Sequence, residues 1–160
     1  MNFPYTLNQN NHEWWEQRGS MLNDIIHQME PSERFQYAQL LGHLATVDNT
    51  VSKAEMAFFE QRLGATLLSP ERKEQLRKQL NKKINLEKHL QTMHPRSIKL
   101  ALRDIALMTM ADREIDESER AVLKMVAKAA GLTEKHVDAL LQWTVKGFHW
   151  MQEGYNALDI

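Results

Sequence analysis

The chain reads as all-α, about seven helices in one domain built from two similar helical units. Three observations carry this reading. Helix formers dominate the 160 residues, and only 6 Gly and 4 Pro punctuate them. Apolar residues recur at spacings of three and four with no strand-like alternation. An acidic junction also occurs twice, as Asp48-Asn49-Thr50-Val51-Ser52-Lys53-Ala54-Glu55 and as Asp112-Arg113-Glu114-Ile115-Asp116-Glu117-Ser118-Glu119. Each copy sets an Asp, a branched aliphatic three residues later and a Glu four residues after that. The repeat interval is 64 residues (112 minus 48), and it continues by aligning Leu68-Ser69 with Leu132-Thr133 and Leu76 with Leu140.

The elements follow from local signals. A first helix is predicted from about Asn11 to Gln28, with Trp15, Met21, Leu22, Ile25, Ile26 and Met29 as its apolar stripe; residues 1–10 read as a poorly ordered tail. Pro31-Ser32-Glu33 starts a second helix bearing Phe35, Ala38, Leu41, Leu44 and Ala45, which stops near Val47 because Asp48-Asn49-Thr50 is turn chemistry. Ser52 and Glu55 form a capping box that opens a third helix through about Leu63. Ser69 as N-cap with Pro70 at the first helical position opens a fourth, carrying Leu76 and Leu80. Residues 81–94 connect the units, which span about 32–80 and 95–141 within a domain covering 11–160. Pro95 opens the next helix, with Ile98, Leu102, Ile105, Leu107, Met108 and Ala111, ending at Asp112. Asp116 and Glu119 stand where Ser52 and Glu55 stood. The helix from Val122 to Ala130 is capped by Gly131, and Thr133-Glu134 begins a last long helix through about Glu153.

Composition bounds the function. A net charge of −1 disfavours a protein that coats nucleic acid. With no cysteine, disulfide scaffolds, thiolate catalysis and Cys-based zinc sites are excluded. No run approaches the roughly 18 apolar residues of a membrane span, and the expectation is a cytoplasmic protein. The seven histidines show no i, i+4 pair, the serines Ser32, Ser52 and Ser69 all read as caps, and no phosphate-binding glycine loop occurs. A non-enzyme with no required cofactor is therefore expected.

The run Ala111-Asp112-Arg113-Glu114-Ile115 with Glu119, followed by Gly131-Leu132-Thr133, resembles the tellurite-resistance TerB-like helical domain, also found in membrane-anchored J-domain co-chaperones. The resemblance is best from about Ile98 to Leu141 and weaker through Asp48, Val51 and Glu55; Arg113 and Asn49 replace the family's usual Gly. It implies an all-helical two-unit fold, a stress-associated role and, in some members, surface carboxylates that bind divalent cations.

Chemically, Asp48, Glu55, Asp112, Glu114, Asp116 and Glu119 offer oxygen ligands suited to calcium, magnesium or manganese, or to a basic partner. The second junction is not an EF-hand, because Glu117 stands where Gly is needed and Leu123 where a bidentate Glu is needed. The same residues also serve as helix caps, each contributing about 1 kcal/mol without any ligand. Two other surfaces are noted. Residues 71–88 hold seven basic side chains against three acidic ones, which suits an amphipathic connector with a solvated basic face and, as an alternative, anion or nucleic-acid binding. Trp14, Trp15, Trp143 and Trp150, with Phe148 and Tyr155, lie in the first and last helices. They are expected to pack the terminal helices together, with Trp14 or Trp15 available to a protein partner or a homodimer.

Overall fold

The structure is a computed structural model, and it describes residues 24–46, 52–80, 82, 84–109, 115 and 117–160. Among these residues every regular element is helical: a 3-10 turn at Ile25–Gln28, then α1 (Pro31–Ala45), α2 (Lys53–Ala65), α3 (Pro70–Gln79), α4 (Leu86–Leu90), α5 (Pro95–Thr109), α6 (Glu117–Ala129) and α7 (Glu134–Ala157).

The helices repeat with the interval read from the junctions. Pro31, Lys53 and Pro70 begin α1, α2 and α3, and Pro95, Glu117 and Glu134 begin α5, α6 and α7, each 64 residues later; Ala45 and Ala65 end their helices as Thr109 and Ala129 do. The units therefore share element lengths up to the third helix. There they differ, since α3 has 10 residues and α7 has 24.

Local chemistry accounts for the boundaries. Ser52 Oγ accepts from the Glu55 amide at 3.1 Å while a Glu55 carboxylate oxygen accepts from the Ser52 amide at 2.7 Å, the reciprocal pair that the spacing predicts. Ser69 Oγ caps α3 through the Arg72 amide. The predicted helix from Asn11 to Gln28 is not continuous at its end: Asp24 is extended (φ −69°, ψ 138°) and caps only the short 3-10 turn through the Ile26 amide. The rest of that helix, and the predicted tail over residues 1–10, lie outside the described residues. The connector is not irregular throughout, because Asn85 caps the one-turn helix α4.

α1 and α5 form the central pair. α2 and α3 pack on α1, α6 and α7 pack on α5, and α4 touches α6. Tyr37, Leu40 and Leu41 of α1, Phe59 and Leu63 of α2, Leu76 of α3, Ile98, Ala101 and Ile105 of α5, Leu123 and Val126 of α6 and Val137 of α7 fill the core. Gly42 permits the closest approach: a Cβ there would stand 2.5 Å from Leu80 Cδ2 and 3.0 Å from Phe59 Cε2. At the outer end of the α1–α5 pair, the Glu33 carboxylate accepts from the Glu30 amide and lies 2.8 Å from His94 Nδ1, while Ser97 Oγ donates to the Glu33 carbonyl. No helix among the described residues is long and apolar enough to cross a membrane.

The C-terminal aromatics depart from expectation. Trp143 is 48% and Trp150 69% exposed, and Phe148 and Tyr155 are also exposed, so among the described residues these rings do not join the core. Along α7 the buried residues are Val137, Leu141 and Thr144, all before these exposed rings except Trp143, and the first predicted helix expected to cover the rings lies largely outside the described residues.

The two units close their second helix differently. After α6, Gly131 takes the left-handed conformation (φ 73°) and the Leu132 amide reaches the Ala127 carbonyl at 2.9 Å, a Schellman closure. After α2 the matching residue is Leu67, also left-handed (φ 53°), a conformation that costs a side chain-bearing residue about 1–2 kcal/mol. Leu67→Gly is therefore expected to stabilise the protein by about 0.5–1 kcal/mol after the entropy cost of Gly, whereas Gly131→Ala destabilises it by about 1 kcal/mol. Urea unfolding midpoints of the two variants check these opposite signs.

Candidate functional site

Of the six carboxylates singled out in the sequence, Asp48, Asp112, Glu114 and Asp116 lie outside the described residues, as do Trp14 and Trp15. Glu55 and Glu119 are described, both half-buried in the first turns of α2 and α6. Glu55 completes the capping box with Ser52. It also lines a cleft of about 190 Å³ together with Ala54 and Phe58 of α2, Leu107 and Met108 of α5 and Phe148 of α7. The cleft is chiefly apolar, and Glu55 is the charged residue among those that line it. Its walls are the first turns of α2 and the last turn of α5, which are the chain segments entering and leaving the two acidic junctions. Among the described residues, no group of three or more His, Asp or Glu side chains is arranged to hold a metal ion.

The basic run is partly consumed by internal contacts. Arg77 makes a two-pronged bridge to Glu60 at 2.8 and 2.7 Å, which holds the Glu60 carboxyl below its ordinary range. Lys78 lies 3.7 Å from Glu74, and the Arg72 guanidinium stands 5.8 Å from the centre of the Phe35 ring. This ties the segment to α1 and α2 as much as to solvent.

A second cluster is one that sequence reasoning missed. Asp104 of α5 is fully buried, and its Oδ2 accepts from Tyr37 Oη at 2.6 Å and from Arg62 Nε at 2.8 Å. Its Oδ1 accepts from Arg103 Nε at 2.7 Å. Arg62 Nε also points at Tyr37 Oη, and Arg62 Nη1 donates to Asp24 Oδ2 at 2.6 Å. Two carboxylates thus meet two guanidiniums and a phenol, drawn from the 3-10 turn cap, α1, α2 and α5. Burial, and next the negative charge of Asp104, push the Tyr37 phenol up, so it serves as a neutral donor. Burial alone would weaken the charged form of Arg62, but the Asp24 hydrogen bond and the surrounding negative charge outweigh it and raise its pKa. Burial alone would likewise raise Asp24; the bonds from Arg62 and the Ile26 amide prevail and lower it. The signal was present in the sequence: Asp104 lies three residues after Ala101 and four before Met108, on the apolar stripe of α5. Its chemistry is that of a structural ion-pair network.

A third group is the pair His43 and His89, whose rings meet edge to face with centroids 5.9 Å apart, joining α1 to α4. Burial, and for His43 also the charge of His89, lower both pKa values, and His89 Nε2 is buried without a hydrogen-bond partner. The folded state therefore binds fewer protons than the unfolded chain below about pH 6.5, and stability falls as pH drops through that region. The thermal midpoint is expected to be lower at mildly acidic than at neutral pH, and His43→Phe, which keeps an aromatic edge contact, should flatten that dependence. An equally steep profile in the variant would show that other groups carry it.

No curated protein and no solved structure matches the chain. The model of the family described as Tellurite resistance protein TerB matches residues 34–142, from the first turn of α1 into α7, a span that holds both acidic junctions and the Tyr37–Arg62–Asp104 cluster. On that match, and on the duplicated helical architecture beneath it, the chain belongs to the TerB tellurite-resistance family.

Proposed function

We propose that this protein is a non-enzymatic, stress-associated binding or adaptor module of the cytoplasm, whose working surface is the end where α2, α5 and α7 meet. The observation that carries this is the cleft shared by Ala54, Glu55, Phe58, Leu107, Met108 and Phe148. It lies at the outgoing end of one acidic junction and the incoming end of the other, which supports a reading in which the duplicated carboxylates Asp48, Glu55, Asp112, Glu114, Asp116 and Glu119 act together. Carboxylates beside an apolar hollow suit a positively charged ligand. That ligand is a divalent cation such as calcium, magnesium or manganese, or the lysine and arginine side chains of a protein partner whose apolar residue fills the hollow. No cofactor is required by this reading, and the stress association rests on the family.

Thermal unfolding in EDTA and then with each cation tests the first arm. Binding at 100 times the dissociation constant raises stability by about 2.7 kcal/mol, and Asp112→Asn with Glu119→Gln should abolish the rise while leaving the helical signal intact. If no cation acts, a lysine-rich peptide with a single Phe should bind the wild type at low salt, lose affinity as salt rises, and fail to bind the double variant. Absence of both effects contradicts the reading and returns these carboxylates to helix capping.

A further inference from the structure

The outer part of α7 presents an apolar face that no described residue covers. Trp143, Gly147, Trp150 and Gly154 follow one another at spacings of four, three and four, which places them within about 60° on one side of a helix of 3.6 residues per turn. Both tryptophans are exposed, and among the described residues a Cβ at Gly147 or Gly154 would meet no neighbouring atom within 4 Å. Large and small thus alternate along one stripe. Lys146 and Glu153, both exposed, lie seven residues apart on the same flank of it.

We infer that this stripe is the seam of a homodimer in which two copies of α7 pack antiparallel. The pattern is self-complementary in that orientation alone. Running antiparallel about a two-fold axis between positions 148 and 149, Trp143 falls over the partner's Gly154 and Trp150 over the partner's Gly147. Every ring then meets a hollow, as knobs fill holes in paired helices. A parallel in-register pair would instead set Trp against Trp and Gly against Gly. Charge selects the same orientation. Same-flank positions face each other only between antiparallel helices, so Lys146 meets the partner's Glu153 and Glu153 meets the partner's Lys146. An isologous contact of this kind closes on itself and yields a dimer, not a filament. The seam is short, at or below the roughly 1,200 Å² of the smallest specific interfaces, and the dimer is accordingly reversible. This inference does not depend on the ligand of the cleft, because the stripe is turned about 100° or more round α7 from Phe148, the residue that lines the cleft.

Sedimentation equilibrium of the full chain from low to high micromolar concentration tests the seam. The wild type is expected to pass from monomer to dimer, and Trp150→Ala to weaken the dimer by about tenfold or more with unchanged helical signal, since the ring is exposed. The chain has no cysteine, so Lys146→Cys and Glu153→Cys chains report geometry directly. On mild oxidation their mixture should cross-link far more than either alone. A chain that stays monomeric, including one whose Trp143 and Trp150 are shielded from iodide quenching by residues 1–23, overturns the inference. So does a dimer indifferent to Trp150→Ala, or cross-linking as strong in either variant alone.

Discussion

The buried carboxylate of Asp104 is the constraint around which the rest is arranged. A carboxylate with no solvent exposure persists only where donors converge on it, and these come from Tyr37 of α1, Arg62 of α2 and Arg103 beside it on α5. Meeting that demand fixes the rotation of α5 against α1 and draws α2 across both. Asp24 then holds the far side of Arg62, which sets where the chain enters α1. The two carboxylates and two guanidiniums balance, so the cluster buries polarity without burying net charge. Once α1 and α5 are set, α6 and α7 stack on α5, and the cleft between α2, α5 and α7 is what remains at that end.

Duplication explains both the regularity and its exceptions. At the interval of 64 residues, the counterparts of Asp104 and Arg62 are Leu40 and Val126, both fully buried. One unit solves the position with aliphatic packing and the other with an ion pair. A symmetric pair of apolar units can exchange partners or register; a single polar contact made in only one of the two equivalent places removes that degeneracy. The cost is the desolvation of the cluster, including an Arg62 Nη2 left without a partner. Leu67 against Gly131, and the 10 residues of α3 against the 24 of α7, are other places where the copies have parted. In the last of these, the added length carries Gly147, Trp150 and Gly154 of the Trp-Gly stripe.

Much of the fold was legible in the sequence because its signals are local. Pro31, Ser52 with Glu55, Ser69-Pro70, Pro95 and Gly131 each mark a boundary through backbone chemistry that acts within a few residues. What depended on distance was not legible. Arg62 to Asp104 and Tyr37 to Asp104 span 42 and 67 residues, and spacing alone does not pair them, although a lone Asp on an apolar stripe marks the place. The end of the first predicted helix was misread because Ile25, Ile26 and Met29 continue a helical period that Asp24 interrupts with an extended backbone. The C-terminal rings were read as core because aromatics usually bury, yet periodicity cannot say whether a neighbouring helix reaches as far as residue 155. Of the site, Glu55 was legible as a cap and a candidate ligand, while its place in the cleft wall beside Phe58 and Leu107 entered only through the packing of their helices.

The central claim, that the cluster at Asp104 specifies this arrangement through pairing and not through any intrinsic need for charge, is tested by giving it the other unit's solution. Urea unfolding would compare Asp104→Leu alone with Arg62→Val, Asp104→Leu and Tyr37→Phe combined, the last change removing a phenol otherwise left without its acceptor. The account predicts a loss of about 3–5 kcal/mol for the single variant, whose guanidiniums are stranded, and recovery of most of that loss in the triple variant. A neutral single substitution, or a triple variant as unstable as the single, would contradict it.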